Sequence, residues 1–226
     1  MTAFGLSADG TTKIIKDGST KEVSNASHFA DVLAAASANS NTNVAMLGES
    51  FKYAAPVAGS LGYSVEDTAI ALGLMASSGL KSSMAGSSLR TILTNLAKPT
   101  DDISDAMDYL GISLQNGDGS MKSLMDIVTD LRGAFGQCKM PMDQFQENLA
   151  KLDEKYANGE LTEKKYNEAL ADLTEKAYGA EGALKAKYAA TLAGKEGMSG
   201  LLSIVSAAPE DFDKLTNAIY NSDGAA

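Results

Sequence analysis

Residues 43–98 read NVAMLGESFKYAAPVAGSLGYSVEDTAIALGLMASSGLKSSMAGSSLRTILTNLAK, and this stretch decides the fold. Val44, Leu47, Phe51, Ala55 and Ala58 recur at helical spacing, which predicts a first helix with one apolar face. Pro56 lies inside that pattern and is expected to kink or restart the helix, because its ring removes an i to i−4 hydrogen bond. Gly62 is the expected stop. Ser64 then opens a second helix, with Asp67 at the fourth place of a capping box, S-V-E-D. Its AIALGLMA run is apolar on every side, so this helix is expected to be buried all round. Gly79 ends it. A third helix restarts near Ser82 or Ser83, with Leu89, Ile92, Leu93 and Leu96 on one face and Pro99 beyond its end.

The three helices are filled with Ala, Gly and Ser, so neighbouring backbones are free to approach closely. They carry little chemistry. Between Ser24 and Ala97 the charges are Asp31, Glu49, Lys52, Glu66, Asp67, Lys81 and Arg90. The physical reading is a helical packing module, and the fold class expected for the whole chain is all-α.

Bulk properties narrow the function. A chain of 226 residues can bury a sizeable core in one domain or two. A net charge of −10 and a pI near 4.6 argue against a nucleic-acid surface, which needs clustered Lys and Arg. The single cysteine, Cys138, cannot form an internal disulfide. No basic region followed by an apolar stretch marks the N-terminus as a secretory signal. The longest apolar run, Ala69 to Ala76, is eight residues, against the roughly 20 that a membrane span needs.

Before the central unit, Asp17-Gly18 separates KIIK from STKEV and suggests a tight hairpin turn, although the flanks alternate poorly and a flexible arm is the competing reading. From Ser27 a helix places Phe29, Val32, Leu33 and Ala36 on its inner face, and Asn43 caps the next helix after a polar loop. After the unit, Pro99 and Thr100 start a helix with Asp101 and Asp102 in its first turn. Ile103, Ala106, Met107 and Leu110 form its apolar face, and Gly111 stops it. ISLQNGDGSMKSL reads as a second small hairpin. Leu124, Ile127, Val128, Leu131 and Phe135 mark the following helix, ending near Gly136.

At Lys139 the composition changes: residues 139–187 hold eight Lys and ten acidic residues. Met142, Phe145, Leu149, Leu152 and Tyr156 follow the spacing of a coiled-coil seam. Asn158-Gly159 breaks the helix and Thr162 caps a second. Tyr166, Leu170, Leu173 and Ala177 form the answering face of an antiparallel helical hairpin. A simple solvent-facing hairpin is the favoured reading, with a protruding arm or a self-association surface as alternatives. Low charge returns afterwards. Leu184, Tyr188 and Leu192 lead a helix into AGKEGMSG, LLSIV forms a short buried helix, and Pro209 with Glu210 and Asp211 opens a last one, which faces Phe212, Leu215 and Ile219 inward. Asp223-Gly224 is read as its stop.

The chemistry-bearing residues do not assemble into a site. The lone His28 is read as capping or packing rather than catalytic. Asp101, Asp102, Asp105 and Asp108 lack accompanying ligands at metal-binding spacing and read as a solvated face. Asp118-Gly119 fails as a calcium loop because Leu114 stands where a carboxylate is needed. Gly194-Lys195 fails as a phosphate loop: Ala189 replaces the first Gly and Glu196 the Ser or Thr. No catalytic, cofactor-binding or metal residue is therefore assigned, and no cofactor. A carboxylate-based hydrolase stands as the disfavoured enzymatic reading.

NTNVAMLGESFKYAAPVAGSLGYSVEDTAIALGLMASSGLKSSMAGSSLRTILTNLAKPT (41–100) resembles the core region of phage tail tape-measure proteins. The likeness continues through YLGISLQNGDGSMKSLMDI (109–127), TLAGKEGMSGLLSIV (191–205) and PEDFDKLTNAIYNSDGAA (209–226), covering most of the chain from His28 to Ala226. It departs from the family pattern at Ala193, where a bulkier residue is expected, at Gly197, where Ala is expected, and in the charged segment, which looks inserted. The resemblance implies a structural protein that templates tail-tube length and is expelled with the DNA, and it implies that this chain is a segment of a longer parent. It implies tail-tube, tail-chaperone or distal-tail proteins as partners, and a place in the virion tail lumen after assembly in the host cytoplasm. A homo-oligomer is a further expectation; a direct nucleic-acid site or a membrane span is not. The runner-up function is a helical interaction or effector module. The expected organisation is an N-terminal arm or hairpin (1–26), a helical core (27–138), an inserted charged hairpin (139–179) and a second core part (180–226). A fully helical chain of this length would reach roughly 340 Å, an upper bound that the Gly and Pro interruptions lower.

Overall fold

The computed structural model describes residues 1–16, 19–135, 142–178 and 182–222. Among them are a two-stranded antiparallel sheet, β1 (Thr11–Lys16) and β2 (Ser19–Ser24), and ten helices. The first five are α1 (Asn25–Asn39), α2 (Val44–Ser60), α3 (Val65–Ser77), α4 (Ser82–Ala97) and α5 (Asp101–Leu110). They are followed by α6 (Leu124–Phe135), α7 (Met142–Ala157), α8 (Glu163–Tyr178), α9 (Gly182–Ser206) and α10 (Pro209–Tyr220). The fold is mainly α, as the periodicity requires.

Helix α3 is the axis. Every residue from Asp67 to Ala76 is buried, and the helix touches α1, α2, α4, α6, α9 and α10. Burying each of Ile70, Leu72, Leu74 and Met75 contributes about 1.5–3 kcal/mol, so the all-round apolar run is what gathers the bundle. Short signals set the boundaries. Asn43 Oδ1 accepts from Met46 N at 2.9 Å, Ser64 Oγ accepts from Asp67 N at 3.0 Å, and Gly62 and Gly79 turn the chain with φ of 79° and 95°.

Several expectations need correction. Helix α2 is not restarted at Pro56; the ring sits on its exposed face, where losing one hydrogen bond costs least. The N-terminal segment is no loose arm. Thr11 to Lys16 pairs with Ser19 to Ser24, and Asn25 Nδ2 donates to Ser7 O at 2.8 Å; the Asp17-Gly18 turn lies outside the described residues. The Ile112–Leu124 segment pairs across its turn through one antiparallel bridge, Gln115 to Met121, with Asn116 N donating to Ser120 O and Lys122 N to Leu114 O, each at 2.8 Å, so the hairpin forms in miniature without extended strands. Helix α1 begins two residues before Ser27, because Ser24 supplies its cap to Ser27 N. The α7–α8 hairpin forms, with Thr162 Oγ1 accepting from Lys165 N at 3.4 Å, but it does not stand off in solvent. Phe145, Leu149, Tyr166, Leu170, Leu173 and Ala177 all join the main core, and α8 packs along α9. The expected stops at Gly136 and Asp223-Gly224, and Cys138, lie outside the described residues.

Candidate functional site

The chain's most specialised surfaces are helix crossings. A methyl group on Gly86 of α4 would lie 2.2 Å from Ser50 O of α2, and one on Gly200 of α9 would lie 2.7 Å from Ser88 Cβ of α4. Gly197 faces Ile92 and Ser88 in the same seam. Side chains from α4 then hold α9 in a broken shape. Gly194 adopts φ 66° and ψ 176°, a conformation open essentially to glycine alone. Asn95 Nδ2 donates to Leu192 O at 3.0 Å and Ser88 Oγ to Glu196 O at 2.7 Å, satisfying carbonyls on both sides of the break.

Polar side chains fasten distant segments. His28 Nε2 lies 2.9 Å from Glu66 Oε1, joining α1 to α3, so the lone histidine has a packing and pairing role. Tyr220 donates its hydroxyl to Asp67 Oδ1, tying the end of α10 to the start of α3; burial, and then Asp67, pushes the Tyr220 phenol well up. The Asp67 carboxylate is thus taken by Tyr220, and among the described hydrogen bonds the capping box forms only its Ser64 half. Asp153 of α7 accepts from Ser199 Oγ at 2.5 Å and Tyr166 Oη at 2.7 Å. Burial pushes the Asp153 carboxyl above its usual range, while both hydroxyls pull the other way. Arg132 of α6 donates to Ile204 O and Ala207 O, each at 2.8 Å, and its guanidinium lies 4.5 Å from the centre of the Phe212 ring.

The sequences weighed as sites are placed as follows. Asp101, Asp102, Asp105 and Asp108 are exposed along α5. Asp118 accepts from Ser120 N and Ser120 Oγ within its own turn, which lowers its pKa. Lys195 lies 4.6 Å from the centre of the Tyr156 ring and 3.8 Å from Glu163, engaged by α7 and α8. Among the described residues, no three His, Cys, Asp or Glu side chains gather to hold a metal ion. No helix among them is long and apolar enough to cross a membrane. Sequence reasoning missed Arg132, Asp153, Ser88 and Asn95. Arg132 alone left a hint, as one of only two arginines, set in the last turn of an otherwise apolar helix face.

A family model described as phage-related minor tail protein matches residues 1–152, from the N-terminal turn into α7. The chain belongs to that family. Over 205 residues, 91% of the chain, this minor tail protein is 36% identical to a protein named tape measure protein from Pneumococcus phage Dp-1. Over 122 residues, 54% of the chain, it is 28% identical to a probable tape measure protein from Escherichia phage P2. It spans only 14% and 15% of the lengths of those two relatives. No solved structure matches.

Proposed function

We propose that this chain is a folded core segment of a tape measure protein, a structural component of phage tail assembly that works through packed helix surfaces. The observation that carries the reading is the 36% identity to the Dp-1 tape measure protein along 91% of the chain. The small-residue helix crossings agree with it, since they serve packing. In this reading the parent chain templates tube length, lies in the tail lumen, leaves with the DNA, and meets tail-tube, tail-chaperone or distal-tail proteins after synthesis in the host cytoplasm. The chain divides into an N-terminal hairpin (1–26), a core (27–138), an inserted hairpin (139–179) that docks back on α9, and a closing core part (180–226). No catalytic step, cofactor or metal is assigned.

The test is an in-frame deletion of residues 139–179 in the phage genome, with tail length measured by electron microscopy. Tails shortened by up to ~60 Å are expected, the helical length of the deleted segment. Tails of unaltered length would remove this segment from the ruler. A zymogram on cell-wall material separately tests the structural reading, which a cleared zone would overturn.

A further inference from the structure

The chain holds two Asn-Gly pairs, Asn116-Gly117 and Asn158-Gly159. An asparagine before glycine carries its own route to chemical change: the glycine's amide nitrogen attacks the asparagine's Cγ, and glycine has no Cβ to crowd the approach. Both pairs sit in turns and all four residues are exposed, so sequence and exposure do not separate them. Their backbones do.

Asn158 is held at the end of α7. Its N–H donates to Glu154 O at 2.9 Å, and Gly159 N donates to Tyr156 O at 3.0 Å while Gly159 turns the chain with φ 75°. The nitrogen that would attack therefore points back into the last turn of the helix, and its hydrogen bond must break before it can react. Glu160 N is bonded in turn to Lys155 O at 2.9 Å, so freeing Gly159 means unwinding the helix end.

Asn116 is placed the other way. The turn closes around Gly117 without using its N–H: Asn116 N donates to Ser120 O at 2.8 Å and Gly119 N to Asn116 O at 2.9 Å. Gly117 N donates to nothing among the described hydrogen bonds, and beyond its chain neighbours no atom lies within 4 Å of where a Cβ would stand. The Asn116 side chain is held only by exposed Ser120, Nδ2 donating to Oγ at 3.0 Å. The adjoining Asp118-Gly119 pair does not compete. Gly119 N is already bonded, and the Asp118 carboxylate, which accepts from Ser120 N and Oγ, is a poorer electrophile than an amide.

We propose that Asn116 is a site of spontaneous deamidation in the folded chain, while Asn158 is protected by its place at the helix end. Gly117 N gives up its proton to solvent base and bonds to Asn116 Cγ. The Cγ–Nδ2 bond breaks, and Nδ2 takes a proton from water and leaves as ammonia. Water then opens the cyclic imide at either carbonyl, leaving aspartate or isoaspartate at position 116. Either product adds a negative charge beside Asp118. Isoaspartate also inserts a methylene into the backbone of the turn. Gln115 and Met121 pair across that turn and, with Leu96 and Met107, line a groove between it, α4 and α5; the longer backbone shifts both out of register. The groove thus carries an age-dependent mark that needs no enzyme. This inference is independent of the tape-measure reading, since the purified chain tests it in solution.

Peptide mapping by mass spectrometry over a time course is the experiment, on the full chain folded in mildly alkaline buffer and, in parallel, unfolded in concentrated urea. In urea the two asparagines should react at similar rates. In the folded chain Asn116 should react about tenfold faster than Asn158, the rate equivalent of a hydrogen bond that must first open. Gly117 has no positive φ and open space around it, so Gly117→Ala should keep the fold, checked by thermal melts, and slow the reaction at Asn116 severalfold. Hydrogen exchange at Lys122 N should be faster in the isolated isoaspartate form than in Asn116→Asp, which carries the charge without the methylene. Equal rates at the two sites in the folded chain overturn the proposal. So does a folded chain that keeps Asn116 intact while the unfolded chain loses it, or a folded Gly117→Ala chain that reacts unslowed. An isoaspartate form with unchanged exchange at Lys122 N overturns the shift in register.

Discussion

Gly86 of α4 faces Ser50 of α2 so closely that a methyl group on its α-carbon would sit 2.2 Å from the Ser50 carbonyl oxygen. Backbone cannot yield as a flexible side chain does, so the two helices would have to separate. Gly86→Ala should destabilise the fold by about 1–3 kcal/mol in urea unfolding. Gly48, inside α2 with open space around it, is the control: Gly48→Ala should add about 0.5–1 kcal/mol. Equal effects of the two substitutions would show that α2 and α4 do not meet through Gly86.

The break in α9 yields a prediction of non-additivity. Gly194→Ala forces a residue with a Cβ into a positive-φ conformation and should cost about 1–3 kcal/mol. Asn95→Ala alone leaves Leu192 O without its side-chain donor and should cost about 1–2 kcal/mol. If Gly194→Ala straightens α9, that carbonyl regains a helical partner, and Asn95→Ala should then cost less in the double variant. A double-mutant cycle by chemical denaturation measures the difference.

Arg132 closes the end of α9 with two hydrogen bonds to carbonyls and lies over Phe212 of α10. A lysine keeps the charge but not the planar fork. Arg132→Lys should therefore lower stability by about 2 kcal/mol, read as a fall in Tm. An unaltered Tm would mean that the forked geometry contributes nothing.

Asp153 gives a pH signature. Its carboxyl has a raised pKa in the fold, so between the unfolded and folded values the folded chain binds more protons than the unfolded chain. Its contribution therefore favours folding at low pH and declines as pH rises from about 4 through the raised value. Asp153→Asn keeps an acceptor for one of the two hydroxyls and turns an NH2 donor toward the oxygen of the other, without the desolvated charge, so its stability relative to the unaltered chain should improve as pH rises through that window. Asp153→Ala strands both hydroxyls and should cost about 1–2 kcal/mol throughout. Parallel thermal melts from acid to neutral pH separate these outcomes.

The helical unit was legible because its signals are local. Asn43, Ser64 and Thr100 cap where a small polar side chain precedes an apolar repeat, and Gly62, Gly79 and Gly111 stop helices by turning with positive φ. The Ile112–Leu124 turn was legible too, but its pairing stops at Gln115–Met121 because its flanks have no further strand to pair with. The hairpin's apolar seam was read correctly. Its surroundings were not, since Ser199, whose hydroxyl donates to Asp153, lies 46 residues away and carries no mark of that role.

By itself, the sequence determined which segments are helices, that α3 is buried on every side, and that backbones approach closely, because capping, periodicity and side-chain size act within a turn or two. Tertiary structure decided that α9 breaks at Gly194 under Ser88 and Asn95, that α8 lies along α9, and that Tyr220 reaches Asp67 across 153 residues. Those contacts join residues far apart in the chain, and only the shape of the folded bundle brings them within hydrogen-bonding distance.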